Sequence, residues 1–576
     1  MTTSTPLFFG PEERPLFGWV HEPGGGVSRG TVVLCPSLAR EPISAHYAYR
    51  LVAEGLAERG ITAIRFDYDG TGDSAGSDID PGRLEAYEAS IDQAVRLADA
   101  LGTADLVLVG MRMGGLLAAR AATRCERLAA LVLWDPCATG REFLREQSAL
   151  FRLTYGKSVL DQGTEVAGFV FSDETAAQLK ATGAPDANPS VERALLLTRP
   201  DRSPAGTYGI EEARIEHGVA EGQAELMDVE PFFSVIPPTV GTITNWIDAV
   251  LPDQPRPQKP VAGRDQVTLG TADGGRVTER LVRFGPSGLF GIVTTGTAEP
   301  VGPAILLLTS GNESHIGPNR MWVDLARRWA GLGLRCVRFD LSGLGDSPTR
   351  PGRPPRVERA PEAFADIEDA VGQWAGGATG RSVAPAVLVG LCSGGYQALD
   401  SGIDLRPEGV VAVNPVLRFP PPESKVGPVD PRRTLCRPVD ESLRSMYQRL
   451  PDWKVIRLAR RSYLAVAHVR SRRKPAAHWL SEMAARGTDV LCICGRVEAD
   501  ELFEGSHKPV GPRMALGERA VVEIVEDLDH GLIPVQHRRQ IADLMTDFLV
   551  GRYLDGTRPD AVPGTPPHDA ATDLVS

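Results

Sequence analysis

One decapeptide occurs twice in this chain. RFDYDGTGDS at 65–74 returns as RFDLSGLGDS at 338–347, 273 positions later, and LFGWV at 16–20 returns as LFGIV at 289–293 with the same offset. GMRMGG at 110–115 then matches GLCSGG at 390–395, so seven residues have been inserted by that point. Three matches in order at a nearly constant offset mean two copies of one fold. At roughly 100–200 residues per domain, 576 residues are too many for one compact core, and the repeat divides them in two.

Inside each copy, short apolar runs alternate with helical periodicity. In the second, AILLLTS (304–310) reads as a buried strand, WVDLARRWAGLG (322–333) as an amphipathic helix and RCVRFDL (335–341) as the next strand. FADIEDAVGQWA then reads as a helix and AVLVGL (386–391) as a strand. Continuous apolar strands separated by helices predict an α/β fold, a parallel sheet covered on both faces. The expected domains are 1–250 and 276–555, joined by a Pro/Gly-rich, semi-rigid linker at 251–275. Residues 556–576 carry few large apolar groups and are expected to be a disordered tail.

Composition removes several functional classes. Hydrophobic residues at 42% and charged residues at 24% are ordinary for a soluble protein. A net charge of −12 argues against nucleic acid as the main partner. No apolar run approaches the ~18–20 residues that span a bilayer, and the N-terminus lacks a basic flank followed by an apolar stretch. A cytoplasmic protein without membrane attachment is expected. Seven Lys against 55 Arg suggests GC-rich bacterial coding. The eight Cys form no zinc-type CxxC pair and read as reduced thiols, mostly small core residues.

One Cys differs. The strand AVLVGL runs straight into CSGGYQALD, giving Gly390-Leu391-Cys392-Ser393-Gly394. This is the GxSxG strand-to-helix elbow with Cys at its centre, where small neighbours let the strained turn close. The helix N-terminus that follows favours a thiolate there. A nucleophile at this point predicts an acid and then a His further along. Glu498 stands three residues past the late strand TDVLCICG (488–495), with Asp500 as the competing acid, and His530 follows the last strand, VVEIVEDLDHGLIP. The plainer reading makes Cys392 a small core residue and His530 a surface-loop side chain.

On these motifs both halves resemble α/β-hydrolase domains over nearly the whole chain. The resemblance implies in each half an eight-stranded, mostly parallel sheet with flanking helices and a helical cap, placed at about 415–486 in the second. It also implies an oxyanion hole built from the N–H after the nucleophile, that of Ser393, and one from the loop bearing Gly311 and Asn312. His315, in the same loop, either contacts substrate or caps the following helix. Cys-nucleophile members of that superfamily include dienelactone hydrolases and polyhydroxyalkanoate synthases, the latter with a similar GxCxGG box. More loosely, the tandem arrangement is similar to antibiotic-pathway acyltransferases such as those that acylate aminocoumarin sugars. That likeness implies bacterial secondary metabolism.

The first copy reads as a degenerate partner. Its elbow centres on Arg112, which cannot attack a carbonyl. Aligning VIPP (235–238) with LIPV (532–535) sets Phe233 where His530 stands, and Asp201 remains as an acid without partners. Arg112 either binds a substrate carboxylate or phosphate in the old pocket or pairs with local acids. Pseudo-twofold packing of the halves, like a fused homodimer, is expected.

Residues 444–474 hold ten Lys or Arg and one acid, Asp452. The segment reads either as a solvated helical face or as a dock for an anion: the phosphates of CoA or an acidic acyl carrier protein. Exchange of an acyl group from a pantetheine thioester to Cys392 is close to isoenergetic and leaves the acyl group activated. The sequence therefore predicts an acyltransferase that passes an acyl group from a thioester donor through Cys392 to a small-molecule hydroxyl or amine. A thioesterase or esterase with the same residues, and a non-catalytic scaffold, are the competing readings. No metal or prosthetic group is implied, and the oligomeric state stays open.

Overall fold

A computed structural model of the protein describes residues 2–102, 105–126, 128–202, 206–227, 237–271, 274–311, 313–357, 362–375, 384–417, 476–503 and 511–554. The first half forms an eight-stranded sheet. Its strands in chain order are β1 (Thr3–Phe9), β2 (Leu16–Glu22), β3 (Thr31–Cys35), β4 (Thr62–Phe66), β5 (Leu106–Met111), β6 (Leu128–Trp134), β7 (Ala194–Thr198) and β8 (Ile215–Val219). They lie in the order β1-β2-β4-β3-β5-β6-β7-β8, antiparallel across β1, β2 and β4 and parallel from β4 to β8.

The second half repeats this order and adds a strand at each edge. Its strands are β9 (Gln266–Gly270), β10 (Arg276–Phe284), β11 (Leu289–Gly296), β12 (Ala304–Leu307), β13 (Arg335–Phe339), β14 (Ala384–Leu391), β15 (Pro407–Val413), β16 (Asp489–Gly495), β17 (Arg513–Ala515) and β18 (Ala520–Val525). The ten-stranded order is β9-β10-β11-β13-β12-β14-β15-β16-β18-β17.

Alternating side chains of the central strands enter two separate cores, as a doubly covered sheet requires. Val32 and Leu34 pack beneath helices Glu41–Glu58 and Thr239–Val250, whereas Val33 and Cys35 pack beneath Arg83–Ala100 and Met113–Ala122. In the second half Ile305 and Leu307 meet helices Met321–Gly331 and Val535–Tyr553. Leu306 and Leu308 face Ala363–Trp374 and Ser393–Leu405. Each fully buried Leu or Val adds about 1.5–3 kcal/mol, so these runs commit the chain to the sheet.

The repeated decapeptide is a turn that ties β2 to β4, and β11 to β13, in the same way. Ser74 Oγ accepts the Phe17 N–H (2.9 Å) and donates to the Asp67 carbonyl (2.7 Å). Ser347 Oγ accepts the Phe290 N–H (2.9 Å) and donates to the Asp340 carbonyl (2.6 Å). Asp67 and Asp340 accept the N–H groups of Asp73 and Asp346 at 2.9 and 2.8 Å. Gly72 and Gly345 have positive φ, and a Cβ on either would stand about 2 Å from those carboxylates, so the turn closes only over glycine.

The two halves meet through these turns with approximate twofold symmetry. Phe17 and Phe290, repeat equivalents, stack on each other with ring centroids 6.2 Å apart. Arg65 Nη2 donates to Asp346 Oδ1 (2.6 Å), and Arg338, the equivalent of Arg65, donates to Asp73, the equivalent of Asp346. A shared apolar core, including Phe8, Phe17, Trp19, Val267, Leu269, Phe290 and Ile292, surrounds the crossing.

Two expected boundaries move. The linker is shorter than 251–275, because Gln266–Gly270 pairs with β10 as part of the second sheet. Arg256–Pro257 is itself paired with Val27–Ser28, and Arg264 bridges to Phe8, so this connection is tied to the first half. Helix Ala476–Ala485, expected within the cap, instead sends Leu480 and Met483 into the sheet core beside Val490 and Cys492. The basic segment 444–474, Cys436 and the tail 556–576 lie outside the described residues.

Candidate functional site

Cys392 sits at the apex between β14 and helix Ser393–Leu405 with φ 54° and ψ −117°. A non-glycine residue held there stores about 1–3 kcal/mol of backbone strain, which the surroundings must over-determine. Its N–H donates to the Val413 carbonyl (3.0 Å), and its own carbonyl accepts the N–H of Tyr396 (3.0 Å). A Cβ on Gly390 would meet the Gly394 carbonyl carbon at 2.2 Å, and one on Gly394 would meet the Thr309 carbonyl oxygen at 2.5 Å. Both glycines are therefore required for the strand and helix to meet at this angle.

The His530 loop comes up beside this apex. The imidazole lies within electrostatic reach of the Cys392 sulfur and is hydrogen-bonded to Glu498, with Nδ1 3.1 Å from Oε1. Burial lowers its pKa, but the sulfur and the carboxylate outweigh that and hold it well above the ordinary imidazole value. Glu498 lies in the first turn of helix Arg496–Leu502. Asp500, two residues on in the same helix, falls on a different helical face. Glu498 is thus the acid that meets His530.

A residue that the sequence reading missed joins the two loops. Asn414 follows β15 with φ 41° and is fully buried. Its Nδ2 donates to the carbonyls of Asp529 (3.1 Å) and His530 (3.2 Å), while Oδ1 accepts the N–H of Gly495 (2.8 Å). An amide alone offers two donors and an acceptor on so short a side chain. The signal available was Asn-Pro after VVAV, matched by Asp135-Pro136 after VLW in the first half.

The remaining expected residues fall differently. Ser393 directly follows Cys392 at the start of its helix, but the Gly311 N–H donates to Ser393 Oγ (2.7 Å) and so is not offered to an oxyanion. Asn312 lies outside the described residues. His315 is buried in the seam between the halves. It is 1% exposed, with Nδ1 2.9 Å from Asp340 Oδ2 and Nε2 2.7 Å from Asp73 Oδ2 of the first half. Nε2 joins the halves, and Nδ1 ties the loop to the turn of its own half.

Arg112 occupies the same elbow conformation as Cys392, with φ 55° and ψ −121°. Of its two expected roles, it takes the pairing with local acids. Nε reaches Glu41 (3.3 Å), Nη1 reaches Asp135 (3.2 Å) and Nη2 reaches Glu146. A cavity of about 310 Å³ lies beyond, lined in part by Asp135, Glu142, Glu146 and Arg202, which are themselves bridged to one another or to Arg112. Asp201 sits in an exposed turn, and Phe233 lies outside the described residues.

Comparison with known proteins agrees with this architecture. An α/β-hydrolase family model matches residues 306–544, and a serine aminopeptidase (S33) model matches residues 27–161. No curated protein matches the chain. Among solved structures, a putative hydrolase from Agrobacterium vitis is 18% identical, covering 44% of this chain and 100% of its own, with a TM-score of 0.31. Est1E from Butyrivibrio proteoclasticus is 14% identical, over 42% of this chain and 98% of its own, with a TM-score of 0.31. A soluble variant of the monoglyceride lipase of Saccharomyces cerevisiae is 13% identical, over 43% and 97%, with a TM-score of 0.30. Strand order and the family matches define two tandem α/β-hydrolase domains, and the matches support an α/β-hydrolase-type catalytic function. Among the described residues, no helix is long and apolar enough to cross a membrane.

Proposed function

We propose that the second half is a Cys-dependent acyltransferase that takes its acyl group from a pantetheine thioester, on CoA or a carrier protein, and passes it to a small-molecule hydroxyl or amine. The observation that carries the reading is the imidazole of His530, hydrogen-bonded to Glu498 and set beside Cys392 at a strained elbow. The Cys392 sulfur attacks the thioester carbonyl, its C–S bond forms, and the tetrahedral oxyanion collapses. The pantetheine sulfur leaves with the proton that His530 had taken from Cys392. His530 then removes the proton of the acceptor hydroxyl or amine, which attacks the acyl-Cys carbonyl. The Cys392 thiolate departs and recovers that proton. Glu498 keeps the imidazole in the orientation both steps need.

The thioester-for-thioester exchange is what favours Cys over Ser, since the acyl-enzyme stays reactive toward the acceptor. The basic segment 444–474 supplies an electrostatic reason for an anionic donor, and the tandem likeness to antibiotic-pathway acyltransferases suggests secondary metabolism.

Intact-mass measurement after exposure to carrier-loaded acyl groups and acyl-pantetheines tests the reading. The expected result is one acyl mass on Cys392, discharged faster when alcohols or amines are present. An adduct that only water removes, whatever acceptor is offered, would make the protein a thioesterase. Absence of any adduct across the panel would leave a non-catalytic scaffold.

A further inference from the structure

The loop from Leu308 to Arg320 links Ser393, beside Cys392, to the surface of the first half. At one end Gly311 donates to Ser393 Oγ. At the other, contacts with the first half hold it at four points. Arg40 donates to Glu313 Oε1 (3.3 Å) and to Asn319 Oδ1 (2.9 Å), and Asp73 grips His315. Arg320, itself in the loop, donates to the first-half carbonyls of Gly72 (2.9 Å), Ser74 (3.0 Å) and Gly76 (2.9 Å).

Asn319 and Arg320 stand consecutively at φ 48° and 71°, a left-handed pair of non-glycine residues. Such a pair persists only where its surroundings over-determine it, and these contacts come from the first half. A second contact reaches the other side of the site. Glu165, in the first-half hairpin Thr164–Val166 and Phe169–Phe171, accepts the N–H of Val535 (2.8 Å). Val535 opens the helix that follows the His530 loop, so a first-half carboxylate caps that helix.

We propose that the first half is a built-in positioning domain: Arg40, Asp73 and Glu165 hold the 308–320 loop and the helix behind His530 in the geometry that Cys392 chemistry needs. This inference rests on the acyl-transfer reading of the second half. It accounts for why the first half keeps the GTGDS turn after its own elbow has lost a nucleophile. Asp73 of that turn serves the other half's loop.

Amide hydrogen exchange and acylation kinetics on the full chain test the proposal. Arg40→Met and Glu165→Leu should speed exchange in residues 308–320 and 526–536 respectively by about tenfold or more, with strand Ala384–Leu391 unchanged. Acyl-Cys392 formation from acetyl-pantetheine should fall by about 10–10²-fold in kcat with little change in KM. Glu165→Gln, which still presents an acceptor to the Val535 N–H, should recover most of the Glu165→Leu loss. Unchanged exchange in both variants, faster exchange with acylation at the wild-type rate, or equal losses for Gln and Leu at 165 would overturn the proposal. If the wild-type protein itself forms no acyl-Cys392, the acyl-transfer reading falls with this role, and the exchange data still show whether the first half holds the loop.

Discussion

Asp73 Oδ2 lies 2.7 Å from His315 Nε2, across a sequence separation of 242 residues and fully buried on both sides. Burial opposes a charged imidazole there. Asp340 and Asp73, one on each nitrogen, outweigh that and raise the His315 pKa well above its ordinary value. The same pairing, with Arg338 added, holds Asp73 well below the usual carboxylate range. Asp346 is lowered likewise by Arg65 and His46 of the first half. Each turn aspartate thus receives one Arg and one His from the opposite half.

These shifts fix how stability depends on pH. His315 binds its proton more tightly when folded, so its contribution is complete below about 6.5 and is lost as pH rises through the raised value. Asp73 and Asp346 contribute fully above about 4 and lose that contribution as pH falls through their lowered values. The thermal midpoint should decline on the alkaline side in the wild type, with a shallower decline in His315→Gln. Parallel midpoint curves for the two proteins between about pH 6 and 10 would contradict this account.

Glu498 against Asp500 gives a sharper contrast at the site. Glu498→Gln removes the charge that orients and raises His530, so acylation of Cys392 should fall by about 10²–10⁴-fold. The His530 titration, followed by NMR of its ring protons, should move to lower pH. Asp500→Asn should leave acylation within about threefold. Equal losses in both variants would mean the acid has been assigned to the wrong carboxylate.

The elbow and the chain order of Cys392, Glu498 and His530 were legible because each rests on local pattern. A buried strand runs into a Gly-framed turn, a late strand precedes an acid, and a last strand precedes a His. Pseudo-twofold packing of the halves could be expected from the repeat, but the residues that make the contact were not legible. Within either copy the GDS turn reads only as a repeated loop, and the partners of Asp73, Asp346 and His315 lie in the other copy. Gly311 misled for a related reason. The residue whose N–H was assigned to the oxyanion sits within reach of the Ser393 hydroxyl, and no spacing rule predicts that side chain's direction. Asn414 left only a two-residue trace, because its three partners come from two distant loops.

Asn414 should be sensitive to the smallest change. Asn414→Asp keeps the shape but sets a carboxylate oxygen against the carbonyls of Asp529 and His530, where an N–H₂ now donates. Losing two buried hydrogen bonds and leaving their acceptors unpaired should cost about 2–5 kcal/mol in denaturant unfolding. Acylation should fall even at temperatures where the variant is folded, since the helix start bearing Glu498 and the loop bearing His530 lose their common tie. A variant with normal acylation and only a lowered midpoint would restrict Asn414 to stability.

Arg112 is the counterpart test in the first half. Arg112→Cys recreates the GxCxG pattern at an elbow already in the right conformation. It should nonetheless form no acyl adduct at position 112, because the aligned His position carries Phe233. The substitution also strips Glu41, Asp135 and Glu146 of a shared cation, two of them buried. Breaking a buried ion cluster by removing one sign costs about 3–5 kcal/mol, so the variant should unfold at markedly lower urea concentration. Acylation at 112, or an unchanged urea midpoint, would mean that the first half retains a working pocket rather than an ion-paired core.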